Sequence, residues 1–427
     1  MNRKRLLSVL LIVVLSLSLA SGAFAKGLVR ITYYFPVGLA GPLATVMNEY
    51  VDEFNALHAE EIEVVPVYSG DYDPTMQKVQ TAVQGGNPPD VFIVEISELP
   101  TLLAMDAIIH LNEFADEEYL ADFFPAFLEN SYTADGQFWG VPFQRSTPVF
   151  YWNKDHFREV GLDPDVPPTT WDEVAEFAQK LVVRDENNEV ERWGVTISGG
   201  WNDWIFQGFA RQNSSQLIDF VTKSITINSP EALEALEFWV HLTQELKVAP
   251  PHSTWSSTPP DFVAGRTSML YHSTGVLTFM KESAGFDFGV GFMPANTTYG
   301  AEVGGGNLHI GKGIPRENQE AAWKLIEFLT TPEMAARWSR ASGYVSTRVS
   351  SYDLPEMVAH TTEHPEYLVA RNQLDYASGK MMTPIFQRVR EIVKTALDEA
   401  TAGKITPKAA LDRAQDQTER LLRDWLD

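Results

Sequence analysis

The apolar residues between Val29 and Val94 change their period repeatedly, and this alternation restricts the fold more than any other feature of the chain. Val29 to Phe35 reads as a strand, rich in β-branched and aromatic residues and closed by Pro36 and Gly38. Leu43, Val46, Met47, Tyr50, Val51 and Phe54 then recur at three- and four-residue spacing, which is one face of a helix. Ile62 to Tyr68 is a second strand. A helix opens at Asp73-Pro74 and ends near Gly85-Gly86, where Pro88-Pro89 forbids its continuation. Val91 to Val94 is a short apolar run of the kind found in a buried parallel strand. The order β-α-β-α-β predicts an open, mostly parallel sheet with helices on both faces.

The rest of the chain continues in the same style. Helical stretches begin near Trp171, Pro230, Asn318 and Thr383, and strand-like runs cover Thr147 to Trp152, Trp193 to Ile197, Ser268 to His272 and Phe286 to Phe292. There is no internal repeat, low-complexity tract or Gly/Ser linker. Two units joined without such a linker imply several short chain crossings.

The first 25 residues stand apart. Arg3, Lys4 and Arg5 precede an apolar run from Leu6 to Leu19, and Ala23-Phe24-Ala25 supplies the small-x-small pattern read by signal peptidase. The run is shorter than the roughly 20 residues a bilayer core requires, so the segment reads as a cleaved export signal rather than an anchor. Cleavage after Ala25 removes 25 residues and three cations from a chain of 427 at net charge −24, leaving 402 at −27. No later segment is apolar for long enough to span a membrane. A charge this negative argues against general nucleic-acid binding, which draws on Lys and Arg patches. With no cysteine, disulfides, thiol catalysis, Cys-based zinc sites and a lipid-modified first mature residue are all excluded. The length suggests roughly two to three domains.

Residues for catalysis are not gathered in any short motif. The nine histidines are dispersed, without HExxH or a similar metal spacing. His360 and His364 are four apart, but in a polar stretch that reads as a loop. Neither GxSxG nor GxxxxGK[ST] occurs, and the Gly304-Gly305-Gly306 cluster lacks the GxGxxG frame. Acidic pairs such as Asp52/Glu53 and Glu60/Glu61 read as solvated helix surface. The unusual material is aromatic. Trp201 and Trp204 bracket a loop after Trp193–Ile197 and form either a stacking wall for a ligand or ordinary packing at a helix start. Asp71-Tyr72-Asp73 follows the second strand and Glu95 ends the third. Open α/β sheets bind ligands at the carboxyl ends of their strands, although a turn residue (Tyr72) and a helix cap (Glu95) fit those positions as well.

Several of these segments together resemble the extracellular solute-binding proteins of ABC importers, family 1. They are the export signal, Ile31-Thr32-Tyr33-Tyr34, the helix ending Phe54-Asn55, Gly85 to Val91, Tyr151 to Lys154, Ala322 to Pro332 and Ala400 to Leu411. The likeness covers nearly the whole chain after Lys26 and is nearest to the glycerol-3-phosphate-binding members. It implies an α/β, two-lobed periplasmic-binding-protein fold of type II, with the ligand cleft between lobes and about three hinge crossings. Lobe one is then 26–143 plus 288–343, and lobe two 147–287 plus 345–427. The likeness also implies a site. A ligand-binding tyrosine falls on Tyr72, an acidic residue on Glu95, serines on Ser146 and Ser273, and a tryptophan pair on Trp201 and Trp204. Backbone amides fall on Gly304 and Gly305, a tyrosine on Tyr344 and an arginine on Arg390, with Arg388 two residues away.

The function implied is capture of glycerol-3-phosphate or a related glycerophosphodiester in the periplasm and delivery to the importer's membrane permease, by a monomer free of any lipid anchor. No enzymatic activity, cofactor, metal or nucleic-acid partner is implied. A phosphate on Arg390, with hydroxyl bonds from Tyr72, Ser146, Ser273 and Tyr344, fits that chemistry. The charge of −27 requires the site to be locally positive, through Arg390 and helix N-termini. Two rival readings are a neutral sugar or oligosaccharide stacked on the tryptophans, and a glycan hydrolase, which would need two cleft carboxylates. Departures from the family pattern at His309 and at Phe206-Gln207-Gly208-Phe209 point to a pocket reshaped for a bulkier ligand.

Overall fold

The computed structural model describes residues 27–37 and 43–426, so the export signal and its cleavage point after Ala25 lie outside the described residues. Val29–Phe35 (β1) buries Ile31, Tyr33 and Phe35 on one face, as its alternation requires. Leu43–Leu57 (α1) lays the stripe Leu43, Met47, Tyr50, Val51 and Phe54 into the core. Ile62–Tyr68 (β2) runs parallel to β1 and pairs Val29 with Ile62 and Phe35 with Tyr68. The Asp71 carboxylate caps Tyr72–Gln84 (α2) by accepting the Tyr72 N–H at 2.7 Å. Val91–Glu95 (β3) is buried along its whole length.

Val141–Ser146 (β4) and Pro148–Asn153 (β5) are separated only by Thr147. The chain continues through Trp171–Leu181 (α3), opened by a Thr170/Glu173 capping box, then Val183–Arg184 (β6), Val190–Ile197 (β7) and Asn202–Gln212 (α4). Thr267–Ser273 (β8), Phe288–Gly291 (β9) and Gly304–Ile310 (β10) follow. Arg316–Leu329 (α5), Pro332–Ser342 (α6), Phe386–Thr401 (α7) and Pro407–Leu421 (α8) complete the framework used below.

These strands form two five-stranded sheets, ordered β2-β1-β3-β10-β4 and β9-β5-β8-β7-β6. One core, containing Tyr33, Phe54, Ile93, Ile326 and Trp338, lies on the first sheet, and another, containing Phe150, Phe206, Trp239, Tyr271 and Val393, lies on the second. The chain passes from the first sheet to the second at Thr147, returns between Gly291 and Gly304, and leaves the first-sheet core again after Tyr344. Among the described residues no helix is long and apolar enough to cross a membrane.

Three expectations need correction. The sheets are not mostly parallel. Within the two five-stranded sheets only β1·β2, β1·β3 and β7·β8 are parallel, and β10 runs antiparallel to both β3 and β4. The early β-α-β-α-β units are parallel, whereas β10 enters the first sheet directly on the chain's return from the second, with no helical crossover to set its direction. Residue 288 does not start a return to the first lobe, because β9 pairs with β5 in the second sheet, Phe288 with Asn153 and Gly291 with Phe150. The stretch around His360 is a helix, Pro355–Glu363, opened by proline at its first turn.

Candidate ligand-binding cleft

Strand register assembles the site. β10 sets Gly306 opposite Glu95, the last residue of β3, and Gly304 opposite Ser146, the last residue of β4. A carboxylate, a hydroxyl and a run of backbone amides therefore meet at one edge of the first sheet. From the second sheet, β8 ends at Ser273, and β7 ends at Ile197, just before the Gly199-Gly200-Trp201 turn and α4. Between them lies a cavity of about 620 Å³, part of it open to solvent, lined by Tyr72, Glu95, Ser146, Trp201, Trp204, Ser273, Gly304, Gly305 and Tyr344. Sequence reasoning named all nine. It missed Gln144, Trp255, Trp338 and Lys380, and it weighed Asp71 only as part of a loop.

The lining is held in place by bonds that leave other polar capacity free. The Tyr72 hydroxyl donates to Gln144 Oε1 at 2.9 Å, and Gln144 Nε2 donates to the Pro36 carbonyl at 3.1 Å. Burial raises the pKa of Tyr72, and that of Tyr344 to about 12, so both remain neutral donors at any physiological pH. Ser273 Oγ accepts the Gly275 N–H at 3.0 Å. Trp204 donates from Nε1 to the Glu302 carbonyl at 3.0 Å, and its ring centroid lies 6.1 Å from that of Trp255. The glycine run follows from these contacts. A Cβ on Gly304 would sit 2.5 Å from the Trp204 ring, and one on Gly305, at φ +110°, would sit 1.6 Å from the Gln144 carbonyl. Gly304 and Gly305 are thus the residues that let backbone amides and an indole face share one wall.

Arg390 departs from expectation. It is buried behind Trp201, with its guanidinium carbon 3.6 Å from the ring centroid, and it does not line the cavity. Each of its three nitrogens is engaged. Nη1 bonds both Asp73 oxygens at 2.9 and 3.1 Å, Nε bonds Asp203 at 3.2 Å and Nη2 bonds the Gly200 carbonyl at 2.7 Å. Burial disfavours the Arg390 charge, and the carboxylates of Asp203 and Asp73 outweigh it, so its pKa is raised. Arg388 is exposed and lies away from the cavity, in a surface groove between α7 and α8.

The cation that does line the cavity is Lys380. Its Nζ lies 3.1 Å from Glu95 Oε1, 4.7 Å from the Trp201 ring centroid and 5.1 Å from that of Phe386. Glu95 Oε2 accepts the Ser97 N–H at 2.8 Å, so the residue caps a turn and faces the cavity at once. Asn130, from the first sheet's side, clamps the Lys380 backbone at both its N–H and its carbonyl. Gln207, part of the segment that departs from the family pattern, accepts the Met381 N–H at 3.0 Å and so positions Lys380 rather than lining the cavity. His309 does not reach the cavity either. It faces the opposite side of β10, bonds the Trp139 carbonyl at 2.9 Å and has its pKa lowered by burial to about 4. Among the described residues no group of acids and histidines could hold a metal ion.

The pattern that defines the bacterial extracellular solute-binding proteins matches residues 49–366. Among curated proteins, the sn-glycerol-3-phosphate-binding periplasmic protein UgpB of Escherichia coli strain 536 is 28% identical, with 96% of each chain covered. UgpB of Salmonella typhimurium strain LT2 is also 28% identical over 96% of each. Among solved structures, UgpB from Mycobacterium tuberculosis in complex with glycerophosphocholine superposes with a TM-score of 0.81 at 23% identity, covering 92% of this chain and 99% of that one. A cyclic α-maltosyl-1,6-maltose binding protein from Arthrobacter globiformis superposes with a TM-score of 0.79 at 22% identity, covering 93% and 100%. The two sheets are therefore the two lobes of this fold, and the chain belongs to the bacterial extracellular solute-binding proteins, whose task is capture rather than turnover.

Proposed function

We propose that this protein is the periplasmic solute-binding component of an ABC importer that captures glycerol-3-phosphate or a related glycerophosphodiester and delivers it to the membrane permease. The observation that carries this reading is the donor set in the cavity. Ser146, Ser273 and Tyr344 with their hydroxyls, Gly305 with its amide and Lys380 with its ammonium line one space that also holds Glu95, while Tyr72 gives its hydroxyl proton to Gln144. Hydroxyl, amide and ammonium donors suit phosphate oxygens, and a carboxylate suits polyol hydroxyls. Trp201, Trp204 and Trp255 then cover the carbon skeleton. The UgpB relatives that match over 96% of the chain support the same ligand class.

In this reading the export signal is removed after Ala25 and the mature protein works as a monomer. Its lobes are 26–146 with 304–343 and 148–291 with 345–427. Contacts from both lobes to one ligand stabilise the closed cleft, and the permease recognises closure. Isothermal calorimetry with glycerol-3-phosphate, glycerophosphocholine and maltose tests the assignment, with micromolar or tighter binding expected for at least one phosphate ester. The tryptophan wall supports a second reading, a neutral sugar. Binding of maltose alone would establish that one instead.

A further inference from the structure

Resting on the phosphate-ester reading above, we infer that Lys380, and not Arg390, provides the positive charge that meets the ligand's phosphate. Three observations lead there. First, access: of the described residues lining the cavity, Lys380 is the only one with a basic side chain, while Arg390 is screened from it by Trp201. Second, charge balance: Arg390 faces two carboxylates, Asp73 and Asp203, and that cluster of three is already net negative. Lys380 faces one, Glu95, and that pair is net neutral. Arg145 is close enough to Glu95 to be felt, but it points to the far face of β4, donating to Phe127 and Asn307, so it contributes field and no contact. Third, donor capacity: an ammonium carries three N–H donors, and one of those on Lys380 is engaged, by Glu95.

The geometry narrows the ligand as well. Glu95 Oε1 and Lys380 Nζ are 3.1 Å apart, and both border the cavity. A ligand that uses both must present an anionic oxygen and a hydroxyl on neighbouring atoms of one small skeleton. A phosphate ester with a free hydroxyl on an adjacent carbon does so. The phosphate oxygen takes a free N–H of Lys380, the hydroxyl donates to Glu95, and the Glu95–Lys380 bond remains. Neither charge is left buried and alone, which is the costly outcome for such a pair. A neutral sugar can use the Glu95 side but has no anionic oxygen for the ammonium.

The test is calorimetry on wild type, Lys380→Met and Lys380→Arg, using glycerol-3-phosphate and glycerophosphocholine as probes, with thermal unfolding of each protein alongside. Lys380→Met is expected to weaken the phosphate ester that wild type binds by about thirtyfold or more, the loss of a charge-assisted bond. Lys380→Arg is expected to stay within about tenfold, because the charge is kept. Lys380→Met binding within threefold of wild type, with unchanged melting, overturns the inference and leaves the proposed function standing. Wild type binding neither probe overturns the proposed function and the inference with it. Should Lys380→Met fail to fold, a crystal structure of wild type with the bound ester decides the matter. Lys380 Nζ within hydrogen-bond distance of a phosphate oxygen sustains the assignment, and a guanidinium nitrogen of Arg390 there in its place overturns it.

Discussion

Lys380 and Arg390 lie against the same tryptophan ring, yet their surroundings give them different work. The Arg390 side chain is 5% exposed and is bound by Asp203, fully buried on its own lobe, and by Asp73 from the other lobe. The Lys380 side chain is 1% exposed and has one carboxylate partner, also from the other lobe. An arginine fork with every nitrogen engaged is a structural joint. A lysine with free donors beside a cavity is a group waiting for a partner. Burial alone does not separate the two cases. The count of carboxylates around each cation does, together with which side of Trp201 the cation occupies.

Removing the joint should produce the largest effect. Arg390→Met leaves Asp203 buried at the start of α4 with no cation, and one of its oxygens already lacks a hydrogen-bond partner. Breaking a buried pair in this way costs about 3–5 kcal/mol of stability, to be read from urea unfolding. Adding Asp203→Asn to the same chain should recover most of the loss, because the stranded charge is then gone. A cost below about 1 kcal/mol for Arg390→Met would mean that Arg390 is not a joint, and the contrast with Lys380 would collapse.

Asp71 tests the other side of the ring. It lines the cavity and its pKa is raised, first by burial and then by the charge of Asp73, against the Tyr72 N–H and Arg390, which act to lower it. An ionised Asp71 repels a phosphate, so affinity should rise as the pH falls through this raised pKa. Asp71→Asn, which keeps the helix cap, should bind about tenfold more tightly at pH 8 and show a flatter profile. Glycerophosphocholine is the probe, since a phosphodiester keeps one charge across the range. The same linkage has a stability sign. An acid whose folded pKa is raised costs stability above that pKa, and the cost vanishes as the pH falls toward the unfolded value near 3.9. A variant with the wild-type pH profile would show that Asp71 does not face the ligand.

What the sequence reveals of this cleft follows from how local each signal is. Tyr72 and Glu95 sit at a helix start and a strand end that hydrophobic period and turn residues mark, whereas Ser146, Gly304 and Gly305 are reached only through the family likeness. Lys380 falls between a two-residue strand and α7, in Ser378-Gly379-Lys380-Met381-Met382, where no period exists to place it. The one available hint was a lysine set against a methionine pair. Arg390 was found, but its partners Asp73 and Asp203 lie 317 and 187 residues away, so nothing local shows that its charge is spent. The direction of β10 was hidden for the same reason. Sheet pairing across a lobe crossing is set by contacts distant in sequence.

Asp73→Asn should have the smallest effect and the most specific meaning. Asp73 is in the first turn of α2, on the first lobe, while Arg390 and Asp203 belong to α7 and α4 on the second. Its side chain is 44% exposed, so solvent screens the pair and its contribution is about 0.5–1 kcal/mol. That contribution is made only when the lobes meet, because Asp203 keeps Arg390 paired when they part. Asp73→Asn should therefore leave unfolding within about 0.5 kcal/mol of wild type and weaken ligand binding about two- to fivefold, mainly through faster release. Raised salt should reproduce the loss in wild type and have little further effect on the variant. A variant that unfolds several kilocalories more easily would make Asp73 a part of the joint itself, and the division between a structural cation and a ligand-facing one would then have to be drawn elsewhere.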